Sequence, residues 1–300
     1  MTSSPLTLQT KFALDVFVLD AQARNLSPRT VRFYRQQISY FLGFLDLQSC
    51  HTLDQITPHH IRQYLRYLQY ERSWKSASVH SAARAIRAFL NFCTAEEMLH
   101  SNPMARVKMP KTTQELQPAF TEAEIRALLA ATDTQRDRAL LLCLLDTGCR
   151  AGEFVAWNVG DINLPTGTVR VRYTKNRTER TVYLGTRARR ELMRLYATQP
   201  LGPDEPVWRT LDKGTRLTYH GLQSLLQKLG QRAAVRPCSP HRFRRTFALM
   251  SLRNGMNVYA LQRIMGHSDL SVLRRYLALV DDDLQEAHRH YGAVDKLFAR

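Results

Sequence analysis

The stretch "SPHRFRRTFALMSLRNG", residues 239–255, decides the fold of the second half of the chain because it marks where a helix begins and ends. Ser239 and Pro240 occupy the preferred N-cap and first helical positions. Gly255 stands where helices end in a left-handed residue. The pattern predicts one helix of about four turns between these residues.

This predicted helix begins with a concentration of positive charge. His241 and Arg244 are three residues apart and therefore share one helical face, and Arg245 can share it too. Arginines crowded beside an imidazole repel one another, so an anion that offsets the repulsion is expected at this face.

The composition of the whole chain favours a polyanionic partner. Among 300 residues, Lys and Arg number 43 against 26 Asp and Glu, a formal net charge of +17, which suits nucleic acid. The longest apolar run, residues 139–145, is far too short to cross a bilayer, and the N-terminus lacks the pattern of a secretory signal. Five cysteines without a CxxC pair predict neither disulfides nor zinc. We expect a soluble cytoplasmic protein with no membrane partner.

The first hundred residues have helical patterns that carry pairs of arginines and almost no acids. Ser27 with Pro28, and Thr57 with Pro58, are typical helix starts, and "SASVHSAARAIRAFLNFC" predicts a third helix. A solvated face is one interpretation of such arginines. The scarcity of acids favours contact with a phosphate backbone instead. The residues predicted to bind DNA are Arg29, Arg32, Arg62, Arg66, Arg84 and Arg87.

A break in the apolar period predicts two domains. Residues 101–118 contain three prolines and no sustained period, so they are interpreted as a linker between a helical domain, 1–100, and a second domain, 119–300. The run "TVRVRYTKNRTERTVYL" predicts a β-hairpin with Lys175 near its tip. The predicted fold class is mainly α, with an α+β second domain in which a small antiparallel β-sheet accompanies the helices.

Several polar residues stand out beside the apolar helices, and together they suit a phosphodiester. Two arginines can clamp its non-bridging oxygens and offset the charge of a phosphoryl-transfer transition state. The sequence shows no carboxylate cluster with metal-ligand spacing, so we expect no metal and no cofactor. A metal-free attack needs a nucleophile such as tyrosine, and the leaving oxygen needs a proton donor such as lysine. Spacing alone does not choose among 12 tyrosines, or between Arg244 and Arg245.

Three segments resemble, in order and spacing, the signature boxes of the tyrosine recombinase (phage integrase) family. They are "TGCRAGEFVAW" (147–157), "SPHRFRRTFALM" (239–250) and "LQRIMGHSDLSVLRRYLAL" (261–279). The resemblance implies a SAM-like helical core-binding domain before the catalytic domain. It implies catalytic roles for Arg150, Lys175, His241, Arg244, His267 and Tyr276, with Tyr276 as the nucleophile. Arg177 competes with Lys175 for the role of proton donor, and Glu153 is interpreted as orienting its neighbours.

The resemblance also implies an activity. A site-specific DNA recombinase would cleave and rejoin double-stranded DNA through a 3′-phosphotyrosyl link without ATP, as a homo-tetramer on two synapsed sites, with host or element-encoded accessory factors. Integration or excision of a mobile element is the favoured role, and Xer-type dimer resolution is the alternative within the family. Other classes that the sequence leaves open are a type IB topoisomerase, a DNA-binding module without activity and a metal-dependent nuclease.

Overall fold

The structure, a computed structural model, describes residues 8–112, 118–172, 179–198 and 201–266. These residues are mainly helical and include a small antiparallel sheet, which confirms the predicted fold class. The chain divides into two compact units, Met1–Leu116 and Gln117–Arg300. In the described parts, every helix falls short of the length and apolarity that crossing a bilayer requires.

The first unit is built from helices around one apolar core. Its long helices are α1 (Leu8–Ala23), α2 (Pro28–Asp46), α3 (Pro58–Arg66) and α4 (Ser76–Ala95). A single turn of π-helix, Tyr67–Glu71, continues α3, and short 3-10 turns span Leu53–Gln55 and Pro103–Arg106. Phe41 and Phe89 are fully buried in this core, and burial of each such ring contributes about 1.5–3 kcal/mol.

The predicted helix starts of the first unit are confirmed. The Ser27 hydroxyl accepts a hydrogen bond from the Thr30 amide at 3.1 Å, and Pro28 is the first residue of α2. Thr57 caps α3 in the same way, through the His60 amide at 3.3 Å. These caps satisfy amides that have no partner inside the helix, so each start is specified by local chemistry.

The segment interpreted as a linker, residues 101–118, begins inside the first unit. Met104 and Val107 are buried in the core of the first unit. The Pro110 carbonyl lies 2.8 Å from Nδ1 of His80 on α4. Two isolated apolar residues in a proline-rich run show no helical or strand period. The sequence pattern therefore does not predict that this segment packs into the core.

The second unit combines helices with the sheet. Its elements are α5 (Glu122–Ala130), α6 (Gln135–Thr147), α7 (Ala151–Val155), β1 (Ile162–Asn163), β2 (Thr168–Val171), β3 (Arg180–Tyr183), α8 (Thr186–Thr198), α9 (Tyr219–Arg232), α10 (Pro240–Arg253) and α11 (Val258–Met265). The side chain of Ser239 caps α10 through the Arg242 amide at 3.3 Å. The predicted start of this helix is therefore confirmed.

The predicted hairpin is present as β2 and β3, which pair antiparallel with Thr168 opposite Tyr183 and Val171 opposite Arg180. A two-residue strand, β1, pairs with the other edge of β2. Sequence patterning missed β1 because two residues are too few to show alternation. Val169, Val171 and Val182 are buried, so one face of the sheet packs into the core of the unit.

Candidate active site

The first site residue, Arg150, follows a tight helix end. Gly148 ends α6 in the left-handed conformation with φ +56°, and a Cβ there would lie 2.3 Å from Phe247 Cδ1. Glycine is therefore required both by the backbone angle and by the close approach of the aromatic ring. The chain then reverses and places Arg150 at the N-cap of α7.

A buried carboxylate holds Arg150 in place. Glu153 is 4% exposed, and its carboxylate accepts from the Arg150 amide and from Arg150 Nη1, both at 2.9 Å. Arg180 on β3 donates to the same two oxygens, with Nη1 at 3.0 Å and Nη2 at 2.7 Å. Burial alone would raise the pKa of Glu153, but hydrogen bonds and charge from Arg180, and then from Arg150, hold it below its usual range.

Arg244 reaches the same region from α10. It is 5% exposed, and its Nη1 donates to the Gly148 carbonyl at 2.7 Å while its Nη2 donates to the Met265 carbonyl at 2.8 Å. Desolvation, followed by the charge of Arg150, lowers the pKa of Arg244 to about 10. The side chain remains a cation at neutral pH, but it is held at an electrostatic cost that an anion would relieve.

The C-terminal end of α11 joins the three arginines. The carbonyls of Ile264, Met265 and Gly266 are consecutive, and they accept hydrogen bonds from Arg180, Arg244 and Arg150 respectively, each at 2.8 Å. A helix C-terminus leaves carbonyls without intrahelical partners and attracts cations. The three arginines therefore fix the C-terminal end of α11, where the chain leaves the helix at Gly266.

The charges of this network do not balance. Among the described groups, three guanidinium cations surround the single carboxylate of Glu153. The side chain of Arg150 is 32% exposed, whereas that of Arg180 is 10% exposed. The uncompensated positive charge thus opens to solvent at Arg150, and the arrangement can hold an oxyanion such as a phosphodiester.

His241 lies one turn before Arg244 on the exposed side of α10. Desolvation of the imidazole, followed by the charges of Arg245 and Arg244, lowers its pKa. A histidine with a lowered pKa is largely neutral at pH 7, so its ring nitrogens can accept as well as donate a proton. This property suits a group that assists proton transfer beside a phosphate.

The structure therefore brings together Arg150 and Arg244, with His241 on the same helix as Arg244. Lys175, Arg177, His267 and Tyr276 lie outside the described residues. Sequence reasoning missed Arg180. The signal was available, because Arg180 alternates with the buried Val182 along β3 and so occupies the inward face of the strand.

The six arginines predicted to bind DNA all lie on the helices of the first unit and are all exposed. Arg62 also has a structural contact, since its Nη2 donates to the Arg106 carbonyl at 2.9 Å. Helices α3 and α4 contain no acidic residue. Their positive charge is therefore not offset within either helix.

The described residues contain no group of three His, Cys, Asp or Glu side chains arranged to hold a metal ion. All five cysteines fall within these residues and are buried free thiols. Burial raises the pKa of each of the five thiols, including that of Cys149, which precedes Arg150. They are therefore poor nucleophiles and belong to the cores of the two units.

Comparison with known families matches both units. The model of the phage integrase family matches residues 118–282, more than half of the chain. The model of the phage integrase N-terminal SAM-like domain matches residues 14–98. The two matched regions follow one another along the chain, as the resemblance implied.

Individual relatives agree with these matches. Tyrosine recombinase XerC of Oceanobacillus iheyensis is 30% identical over 293 residues, which cover 93% of this chain and 95% of that protein. Tyrosine recombinase XerA of Saccharolobus solfataricus is 33% identical over 214 residues, which cover 71% of this chain and 67% of that protein.

Solved structures share the fold. The Tn1549 transposon integrase in complex with transposon right end DNA superposes with a TM-score of 0.76 at 14% identity, covering 88% of this chain and 94% of that one. A lambda integrase dimer bound to a COC′ core site gives 0.74 at 16% identity, covering 89% and 76%. With the family models and the Xer relatives, these findings show that the chain belongs to the phage integrase family of tyrosine recombinases.

Proposed function

We propose that this chain is a site-specific DNA recombinase that cleaves and rejoins DNA strands through a 3′-phosphotyrosyl intermediate. The observation that carries the proposal is the pair Arg150 and Arg244, which lie at one helix end with an excess of positive charge. Family membership supplies the class of reaction, and we propose that the scissile phosphate binds at this pair of arginines.

The two arginines would hold the non-bridging oxygens of the phosphate. These oxygens carry more negative charge in the transition state than in the ground state. Fixed guanidinium groups therefore stabilise the transition state preferentially. Hydrogen bonds to Gly148, Met265, Gly266 and Glu153 fix the two side chains before DNA binds. Little reorganisation is then needed as the charge develops.

Tyr276 would be the nucleophile. Its phenolic oxygen attacks phosphorus, the bond between phosphorus and the 5′ oxygen breaks, and the DNA is left joined to the enzyme by a 3′-phosphotyrosyl link. Lys175 would give a proton to the leaving 5′ oxygen, while His241 and His267 would accept or share the phenolic proton. A 5′ hydroxyl from a partner strand then reverses these bonds, so the phosphodiester energy is conserved and no ATP is consumed.

Double-stranded DNA would also contact the first unit. The exposed arginine pairs of α2, α3 and α4 suit the phosphate backbone, which they would bind without reading sequence. Recombination between two sites requires several protomers, and we propose a homo-tetramer on synapsed DNA, with accessory factors from the host or the element. Because the proposed substrate is DNA, we propose that the protein is cytoplasmic and associated with the nucleoid.

Two biological roles remain in view. We propose integration or excision of a mobile element, a role shared with the transposon and phage integrases whose fold this chain has. Xer-type resolution of chromosome or plasmid dimers is the second candidate. It is favoured by the 30% identity with a XerC recombinase along 95% of that protein.

Recovery of protein–DNA adducts from cells tests the proposal. Native protein and Tyr276→Phe are expressed, denatured and isolated, and the attached DNA is sequenced. DNA enriched at discrete sites with native protein alone is expected. Scattered attachment would favour a topoisomerase, and adducts that persist in Tyr276→Phe would move the nucleophile elsewhere. Absence of adducts from native protein would favour a DNA-binding module.

A further inference from the structure

Arg180 connects three separate segments of the second unit. It lies on β3, the strand that follows the hairpin residues around Lys175. Its Nε donates to the Ile264 carbonyl on α11 at 2.8 Å, 84 residues away in sequence. Its two Nη atoms donate to both oxygens of Glu153, which in turn holds Arg150. One side chain thus bridges the hairpin, the turn of Arg150 and the end of α11.

These bonds form a closed ring of contacts. Glu153 binds Arg150, Arg150 binds the Gly266 carbonyl, and the last turn of α11 leads back to Ile264 and Arg180. The side chain of Arg180 also lies against Gly266, where a Cβ would come within 3.1 Å of its Cδ and Nε. Gly266 has φ +64° and immediately precedes His267. Moving Arg180 would therefore release both Arg150 and the start of the segment that leads to His267.

Arg180 differs from Arg150 in what it can touch. All three of its guanidinium nitrogens donate to protein acceptors, and its side chain is 10% exposed. Arg150 has a side chain that is 32% exposed. Because its guanidinium group donates to Glu153 and Ile264, Arg180 is placed to orient Arg150, the more exposed cation of the two.

We propose that Arg180 is a positioning residue of the strand-cleavage reaction, which aligns Arg150 through Glu153 and fixes the end of α11 through Ile264. The inference rests on the proposed function. Lysine at this position keeps the charge but cannot donate to Glu153 in a bidentate manner and to Ile264 at once. Outer residues that orient the ligands of a metal site change activity by about 10–100-fold when replaced, and we expect an effect of the same order here.

The test separates chemistry from DNA binding. Native protein, Arg180→Lys, Arg180→Ala and Arg170→Ala are compared for DNA dissociation constant and for the single-turnover rate of covalent adduct formation. Arg170 is a matched control, because it lies on the neighbouring strand β2 and pairs with Glu179 at the surface. Both Arg180 variants are expected to bind DNA within twofold of native protein and to form adduct about 10–100-fold more slowly. Arg170→Ala should match native protein in both measurements.

Two further measurements keep a folding defect distinct from a positioning defect. Added guanidinium ion should partly restore the adduct rate of Arg180→Ala by filling the space beside Glu153, and it should not accelerate Arg170→Ala. Amide hydrogen exchange in α11 should be faster in Arg180→Lys than in native protein, with α8 unchanged.

Adduct rates within twofold of native protein, or an equal loss in Arg170→Ala, would overturn the proposal. Unchanged exchange in α11 would do the same. If native protein forms no adduct, the proposed function is what fails, and the exchange measurement still decides whether Arg180 holds α11.

Discussion

Replacement of Glu153 by glutamine should destabilise the second unit strongly. Glu153 is the carboxylate that Arg180 and Arg150 share. The pair with Arg180 is buried, with side chains 10% and 3% exposed, and removing one charge of such a pair costs about 3–5 kcal/mol. The pair with Arg150, whose side chain is 32% exposed, adds about 1 kcal/mol or less after solvent screening. We expect a loss near 4 kcal/mol in the free energy of unfolding.

Urea and thermal unfolding measure this loss. For a unit of this size, about 4 kcal/mol corresponds to a decrease in Tm of roughly 8–16 °C. Glu179→Gln is the matched control, because Glu179 forms an ion pair with Arg170 in which both side chains are more than half exposed. That variant should change the unfolding free energy by about 0.5 kcal/mol or less. Equal stability of the two variants would refute the reasoning from burial.

The pH dependence gives a second check on Glu153. Its pKa in the folded protein lies below its usual range, so its stabilising contribution is complete above the unfolded pKa of about 4.3. The contribution is lost as the pH falls through the folded value. The stability difference between native protein and Glu153→Gln should therefore shrink as the pH falls below about 4.3, and a difference that grows would contradict the assignment.

Three further predictions follow from other contacts. Arg242→Ala should lower the free energy of unfolding by about 3 kcal/mol, because Arg242 is 4% exposed and its Nη2 donates to both oxygens of Glu124. Urea titration measures this loss, and an unchanged unfolding midpoint would contradict the prediction. Arg84→Ala should weaken DNA binding and reduce the slope of log affinity against log salt concentration by about one. Arg24→Ala should change neither, because the charge of Arg24 pairs with an aspartate on α1. Equal slopes for the two variants would indicate that the arginine face of α4 is merely solvated. NMR titration of His241 should give a midpoint below about 6.5. A higher midpoint would contradict the effects of ring desolvation and of the neighbouring Arg245 and Arg244 on its pKa.

Local chemistry in the sequence predicted the parts of the fold that depend on near neighbours. The hydroxyls of Ser27 and Ser239 accept hydrogen bonds from the amides three residues later. The starts of α2 and α10 can therefore be predicted without any tertiary contact. Gly148 ends α6 with the left-handed angle that is typical of a glycine at a helix C-terminus. Alternating β-branched residues likewise predict the hairpin of β2 and β3.

The network around Glu153 was not predictable in this way. Arg180 meets Ile264 across 84 residues, and Arg150 meets Gly266 across 116 residues. Spacing indicates which residues share a helix face, but it does not indicate which helix end an arginine from another element will cap. Resemblance to the family selected Arg150 and Arg244 among many arginines. Alternation along β3 indicates that Arg180 faces inward, but only the fold shows that it binds Glu153.

The central claim is that Arg150 and Arg244 neutralise the scissile phosphate, and a neutral substrate tests it most directly. DNA with a methylphosphonate at the scissile position lacks the negative charge that the arginines would meet. Native protein and Arg244→Ala are compared for the rate of Tyr276 adduct formation on both substrates. On phosphate, Arg244→Ala should lose about 10²–10³-fold in rate, as expected for removal of one transition-state donor. On methylphosphonate, its rate should approach that of native protein. An equal loss on both substrates would contradict the account.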